Sequence, residues 1–268
     1  METVALRQYL AAVWKDAKSA TLKRPITASI LLIALTFGNY VGINANLAEA
    51  ASEKGSLAHF GDWLLGALAG GARLLIGVAV AMLVIRHAML GAKARFRLID
   101  LAYWKCVGAV TLLDLGVFGL AMSILVGQVV ATDSTNVWLI VASVYGVGLF
   151  FSTRLGLTFT HIAIGHDADW FASWRDTRGH FWTIARLYLI ASGPFDVLER
   201  ILFTAGPNVH LHGIAVSPIV LAVARATCDY LNWALTAASC AWLYRRYARL
   251  LLELVQIPES SRVVAREM

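Results

Sequence analysis

The chain has 268 residues, of which 59% are hydrophobic and only 15% charged, and its net charge is +6. A water-soluble domain carries about 25% charged residues, so an apolar excess gathered in long runs argues against an ordinary soluble fold and for an all-α, polytopic membrane helical bundle. The basic residues gather in particular loops, which argues for orientation in a membrane and against nucleic acid as a partner.

Residues 1–24 predict an amphipathic interfacial helix on the cytoplasmic surface. Val4, Leu6, Tyr9, Leu10, Val13 and Trp14 supply its apolar side, while Lys15, Lys18 and Lys23 meet anionic lipid headgroups. Pro25 then opens the first long apolar run, as suits a proline in a first helical turn. Six runs are long enough to cross roughly 30 Å of hydrocarbon at about 1.5 Å per residue. They lie at 25–47, 63–86, 102–130, 137–162, 181–204 and 214–244, so a six-span bundle over 25–244 is expected, followed by a cytoplasmic tail at 245–268. Ala48-Glu49-Ala50 has the form of a signal-peptide cleavage site. The preceding basic region and apolar run are both long for a signal peptide, so a retained first helix is expected.

The gaps between runs differ in charge. The N-terminal stretch holds Arg7, Lys15, Lys18, Lys23 and Arg24, and the second gap Arg86, Lys93, Arg95 and Arg97. The fourth gap holds Arg175 and Arg178, and the C-terminal side Arg245, Arg246 and Arg249. The three alternate gaps hold a single basic residue, Lys54. Because basic loops stay cytoplasmic, the pattern places both termini inside.

Small residues invite close helix packing, inside the bundle or between copies. They are Gly66, Gly70, Gly71 and Gly77 in the second run, Gly116 and Gly119 in the third, and Gly146 and Gly148 in the fourth. The gap after the fourth run reads "DWFASWRDTRGHFW". A short helix near 167–178 is expected there, capped by Asp167, with Trp170, Phe171 and Trp174 on one side. Gly179 suits its C-terminal turn, and Phe181 and Trp182 meet the headgroup level. The segment reads as an interfacial elbow, and 87–101 has a similar layout around Phe96, Leu98 and Ile99.

Residues 153–190 carry Arg154-Leu155-Gly156-Leu157 at the end of one run and Ser173-Trp174-Arg175-Asp176-Thr177-Arg178-Gly179-His180-Phe181-Trp182 at the start of the next. This stretch resembles the six-helix membrane domain found with bacterial glycerophosphoryl diester phosphodiesterases and in stand-alone inner-membrane proteins. The resemblance covers about 40 residues, and Thr160-His161 stand where that family often has proline. It implies a bundle in the bacterial inner membrane, while the elbow read from the residues themselves comprises Arg154, Trp170, Trp174, Arg175, Thr177, Arg178, Gly179 and Trp182. The chain has no room for the phosphodiesterase barrel itself.

Ionisable residues within apolar runs are the strongest functional candidates, because each costs roughly 2.5–3.5 kcal/mol at a helix centre. They are Arg73, Asp114, Asp196, Glu199, Arg200, Arg225 and Asp229. Asp196 and Arg200 are four apart on one helix face, as are Arg225 and Asp229, and Pro194 is expected to kink the fifth run beside them. Three cations and four anions nearly balance, which favours ion pairs between helices over a polar track for an ion, proton or headgroup.

His161, His166 and His180 lack the spacing of a metal site, as do His210 and His212. Cys106, Cys228 and Cys240 lie in apolar runs without a CxxC and are expected as buried free thiols. No Gly-x-Ser-x-Gly motif or phosphate-cradling glycine loop occurs, so no catalytic residue, metal or cofactor is expected. The expected function is a non-enzymatic accessory, scaffold or envelope lipid-homeostasis protein. Its partners would be membrane lipids, with anionic headgroups on the cytoplasmic side, and a membrane protein or a second copy. A small transporter or channel-like subunit using the buried charges, and a cytoplasmic-face enzyme acting on lipid, are the alternatives.

Overall fold

The computed structural model describes residues 6–51, 57–91, 100–132, 137–205, 210–211, 214–215 and 217–256. Ten helices run through them: α1 (Leu6–Lys23), α2 (Pro25–Ala51), α3 (Leu57–Leu90), α4 (Leu101–Thr132), α5 (Val137–Ala163), α6 (Trp170–Asp176), α7 (Phe181–Ala191), α8 (Gly193–Ala205), α9 (Pro218–Tyr247) and α10 (Arg249–Gln256). Between α8 and α9 a two-residue antiparallel ladder pairs β1 (His210–Leu211) with β2 (Ile214–Ala215). The fold is thus all-helical. The second elbow expected within 87–101, the residues Lys54, Lys93, Arg95 and Arg97, and the tail beyond 256 fall largely outside the described residues.

The first four apolar runs are helical, the fifth is helical but interrupted, and the sixth opens on β2 and is helical from Pro218. α7 stops at Ala191, and the amides of Phe195 and Asp196 both bond the Ser192 carbonyl, at 3.0 and 3.1 Å, to start α8. Pro194 has no amide to donate and fits only in that new first turn, which is why the break falls here. Among the described residues, two helical stretches are long and apolar enough to cross a membrane, Pro25–Ala45 and Phe60–Leu90. That is fewer than the six expected, for identifiable reasons. α7 and α8 are each short, with 11 and 13 residues. α9 carries Arg225, Asp229 and Asn232 in its middle, which lowers its hydropathy. In α4 and α5 most side chains between 118 and 145 lie outside the described residues.

The chain forms two compact units. The first comprises residues 1–98 and 189–239. Here α2 and α3 pack along each other. Gly42 faces Ala69 and Gly38 faces the stem of Arg73 across this contact, where an added methyl group would meet them at ordinary contact distance, 3.7 and 3.5 Å. α1 packs on α3 with a stripe of buried Tyr9, Val13, Ala17 and Ala20 at helical spacing. The Tyr9 hydroxyl donates to Ser239 Oγ at 2.8 Å, Ser19 and His87 share a 3.0 Å hydrogen bond, and Thr21 and Tyr230 a 3.1 Å one. The apolar side of α1 is therefore divided. Tyr9 and Val13 face protein, while Leu6 and Trp14 stay exposed.

The second unit comprises residues 99–188 and 240–268. α4 packs on α5, and α6 touches both α5 and α10. Its core holds Leu157, Ile162, Ile184, Leu243, Tyr244 and Leu251, each at most 1% exposed. Cys106, Cys228 and Cys240 are free and buried, as expected, and Cys240 shares a 2.7 Å contact with the Tyr188 hydroxyl.

Outside faces are apolar. Ile26, Ile30, Ile33 and Phe37 form an exposed row along α2, as do Val197, Leu198 and Ile201 on α8 and Ile219, Val220 and Val223 on α9. The glycines divide in an instructive way. Among the described residues, a methyl group on Gly70, Gly71, Gly116, Gly119 or Gly146 meets nothing within 4 Å, whereas one on Gly77 would lie 2.2 Å from the Trp233 ring. Gly77 alone of these has an indole laid against its backbone. Gly77→Ala should lower the melting temperature in mild detergent through overpacking of about 1–3 kcal/mol, while Gly70→Ala should leave it unchanged or slightly raised. Equal melting temperatures for the two variants would contradict the packing described.

Candidate functional site

The charges that the sequence scatters over α3, α8 and α9 meet inside the first unit. Asp229 is the focus, with a side chain only 8% exposed. Its Oδ2 accepts from Asn39 Nδ2 at 2.9 Å, from Arg73 Nε at 3.1 Å and from Arg73 Nη2 at 2.9 Å. Its Oδ1 accepts from Arg73 Nη2 at 2.8 Å. The same guanidinium donates to Glu199 Oε1 at 2.9 Å, and Arg225 Nη2 approaches that oxygen at 3.5 Å. Two cations and two anions therefore close a neutral set. Such pairing offsets the cost of removing each charge from water.

The set ties four helices together: α2 through Asn39, α3 through Arg73, α8 through Glu199 and α9 through Arg225 and Asp229. The i,i+4 spacing of Arg225 and Asp229 puts both on one face of α9, where they meet partners on α8 and α3. Asp196 and Arg200 do approach along α8, at 4.0 Å, with side chains 35% and 61% exposed. Asp114 stands apart. It lies exposed on α4 near Leu112 and Leu115, with no hydrogen bond or ion pair among the described residues. Asn39 was not expected from the sequence. A lone asparagine in an apolar run, four residues after Leu35 on the buried side of α2, is the signal that could have marked it.

The second constellation is the elbow. α6 begins one residue after Asp169, whose carboxylate accepts the Ala172 amide at 2.8 Å as N-cap. The cap is thus Asp169 where Asp167 was expected. Asp167 instead pairs with Lys105 at 2.5 Å. The helix ends at a Thr177 cap, and the left-handed Gly179 (φ +84°) makes the turn into α7. The elbow is fastened to α5 by Ser173 Oγ donating to the Arg154 carbonyl at 2.8 Å and Thr158 Oγ1 donating to the Asp169 carbonyl at 3.2 Å. Buried Thr177 closes the helix by donating to the Ser173 and Trp174 carbonyls at 3.0 and 3.1 Å. Asp176 receives the amides of Leu250 and Leu251, at 3.0 and 3.2 Å, and so caps α10. This helix lies in what the sequence reads as a tail.

The aromatic residues of the elbow divide between packing and display. Trp170 meets Phe159 edge-on at 5.9 Å, while Phe171 and Trp182 are 70% and 73% exposed. Arg154 sits in a cage of rings, its guanidinium carbon 5.1 Å from Trp174, 5.6 Å from Phe150 and 5.7 Å from Phe181. Arg154, Phe171, Trp174, Arg175 and Arg178 line an open cavity of about 580 Å³.

Among the histidines, His161 stacks on His166 at 4.7 Å and shares a 2.8 Å hydrogen bond with Tyr244, while His180 lies 4.8 Å from the Tyr247 ring. The Asp169 carboxylate is turned to its helix cap, so these groups do not converge as metal ligands, and the described residues contain no cluster suited to a metal.

Replacing Asp229 with Asn would leave the buried Arg225 and the partly buried Arg73 guanidinium groups with Glu199 as their one carboxylate in this set. We expect Asp229→Asn to lose on the order of 3–5 kcal/mol of stability, read as a lower melting temperature in mild detergent. The combined Arg73→Met and Asp229→Leu change should lose less than the sum of its parts. Additive losses would show that the two side chains do not act as a pair.

The chain matches no protein-family description, no curated protein and no solved structure.

Proposed function

We propose that this chain is a non-enzymatic integral membrane protein of six spans, with both termini cytoplasmic, serving as an accessory or scaffold in envelope lipid homeostasis. The observation that carries this reading is the inverted polarity of the first unit. Arg225 and Asp229 are buried and Arg73 and Glu199 partly buried, while Ile26, Ile30, Ile33, Phe37, Ile219, Val220 and Val223 lie outside. Water favours the opposite arrangement, and hydrocarbon favours this one. In the six-span reading the interrupted pair α7–α8 serves as the fifth span, its freed backbone groups facing the bundle.

Orientation rests on the basic gaps, and placement in a bacterial inner membrane rests on the resemblance of residues 153–190. Mutual neutralisation of the charges favours the accessory role over ion transport, since a transported ion or proton needs a partner not already held. Asp229→Asn separates the two. If the network only fastens helices, any cellular defect should track the loss of thermal stability. A variant that keeps wild-type stability and loses its cellular effect would favour the transporter.

Orientation has its own test. In a background with Cys106, Cys228 and Cys240 replaced, Lys54→Cys should react with an impermeant maleimide from the outer face of intact spheroplasts. Glu253→Cys should react only after permeabilisation. The reverse pattern would overturn the proposed orientation.

A further inference from the structure

We infer that the cavity at the elbow is a binding site for the phosphoryl group of an anionic phospholipid, with Arg154, Arg175 and Arg178 as its ligands. The inference rests on the membrane reading above and names what that membrane protein would hold.

Three observations carry it. The first is charge. The cavity is lined by three guanidinium groups and two aromatic rings, with no acid among them. The nearest acids in sequence are already engaged, Asp167 by Lys105, Asp169 by the Ala172 amide, and Asp176 by the amides of Leu250 and Leu251. The local positive charge is therefore left for an external anion.

The second is donor supply. Nε and Nη1 of Arg154 are buried and have no hydrogen-bond partner. A buried, charged donor left unmatched is costly, and the ring faces of Phe150, Trp174 and Phe181 hold the cation without satisfying those N–H groups. A phosphoryl oxygen matches the planar fork of an arginine in a way that a carbonyl or a ring does not.

The third is the mixture of chemistries at the rim. Phe171, with the Arg175 guanidinium 5.7 Å from its ring centre, stands 70% exposed beside the cavity, and Trp182 is exposed on the next helix. Exposed aromatic rings beside arginines suit the boundary where a lipid headgroup meets its acyl chains. A volume of about 580 Å³ exceeds what inorganic phosphate fills and lies in the ordinary range for a small-molecule site.

The test uses the full-length chain, purified in mild detergent and reconstituted in nanodiscs containing phosphatidylglycerol or only phosphatidylcholine. Phospholipid retained after transfer back to detergent is measured by native mass spectrometry, and inorganic phosphate is titrated separately. The wild type should retain phosphatidylglycerol in preference to phosphatidylcholine. Arg175→Gln with Arg178→Gln, both exposed positions, should weaken that retention by about tenfold or more, each lost charge-assisted contact being worth roughly a factor of ten. Arg154→Lys should weaken it too, because an ammonium keeps the charge and loses the fork.

Arg245→Gln with Arg246→Gln removes the same charge from outside the cavity and should change retention little. Equal losses in the two double variants would show diffuse attraction to anionic lipid and overturn the site. Phosphate binding without lipid retention would overturn the lipid as its source. Resistance to extraction by alkaline carbonate is read on the same preparations. A carbonate-resistant protein without lipid preference leaves the membrane reading standing and this inference refuted, whereas a wild type released by carbonate overturns the membrane reading itself.

Discussion

A charge turned away from water must find its counter-charge within the chain, and in the first unit one carboxylate meets most of that requirement. Asp229 takes donors from Asn39 and, through several atoms, from Arg73, and Glu199 binds the same arginine to Arg225. Directional bonds from four helices converge there, so the network fixes rotation and register as well as proximity. Apolar packing alone is tolerant of both, because leucine against leucine works in many settings. The contact of α2 with α3 adjoins the same arrangement. Gly38 faces the stem of Arg73, and Gly42 faces Ala69 one turn away.

The second unit uses another device. Its polar side chains mostly satisfy backbone groups, through the Asp169 cap, the Ser173 bond to the Arg154 carbonyl and the Asp176 cap of α10. Arg154 differs: its side chain is held by ring faces, and its buried Nε and Nη1 make no hydrogen bond. A structural arginine is ordinarily saturated with acceptors. One that is positioned but unsaturated is better suited to receiving a ligand; Arg225 of the first unit also keeps a buried Nε without a hydrogen bond, but its Nη2 is paired with Glu199, whereas Arg154 makes no ion pair among the described residues.

Asp114 fits neither pattern. It is exposed on an apolar face of α4 and takes no hydrogen bond or ion pair among the described residues. Grouping it with the buried charges follows from its place in an apolar run, since hydropathy reports depth along a helix and says nothing about which way a residue faces.

The sequence by itself determined the helices. The apolar runs, Pro25 at a helix start, Pro194 at the break in the fifth run and Gly179 at the turn after α6 are local signals, set by side-chain chemistry within a few residues. It also determined which ionisable residues lie in apolar surroundings and that the thiols stay free. Only the tertiary structure decided their partners. Spacing of four residues put Arg225 and Asp229 on one face of α9 and the charge balance favoured ion pairs between helices, but only the fold shows that Asp229 reaches Arg73, 156 positions away. Asp169 displaced Asp167 as the cap of α6, and Asp176 turned residues 249–256 into a capped helix. The physical reason is the same in each case. Periodicity states which residues share a face, but which faces meet depends on the helix rotations at which charge, hydrogen bonding and volume are satisfied together.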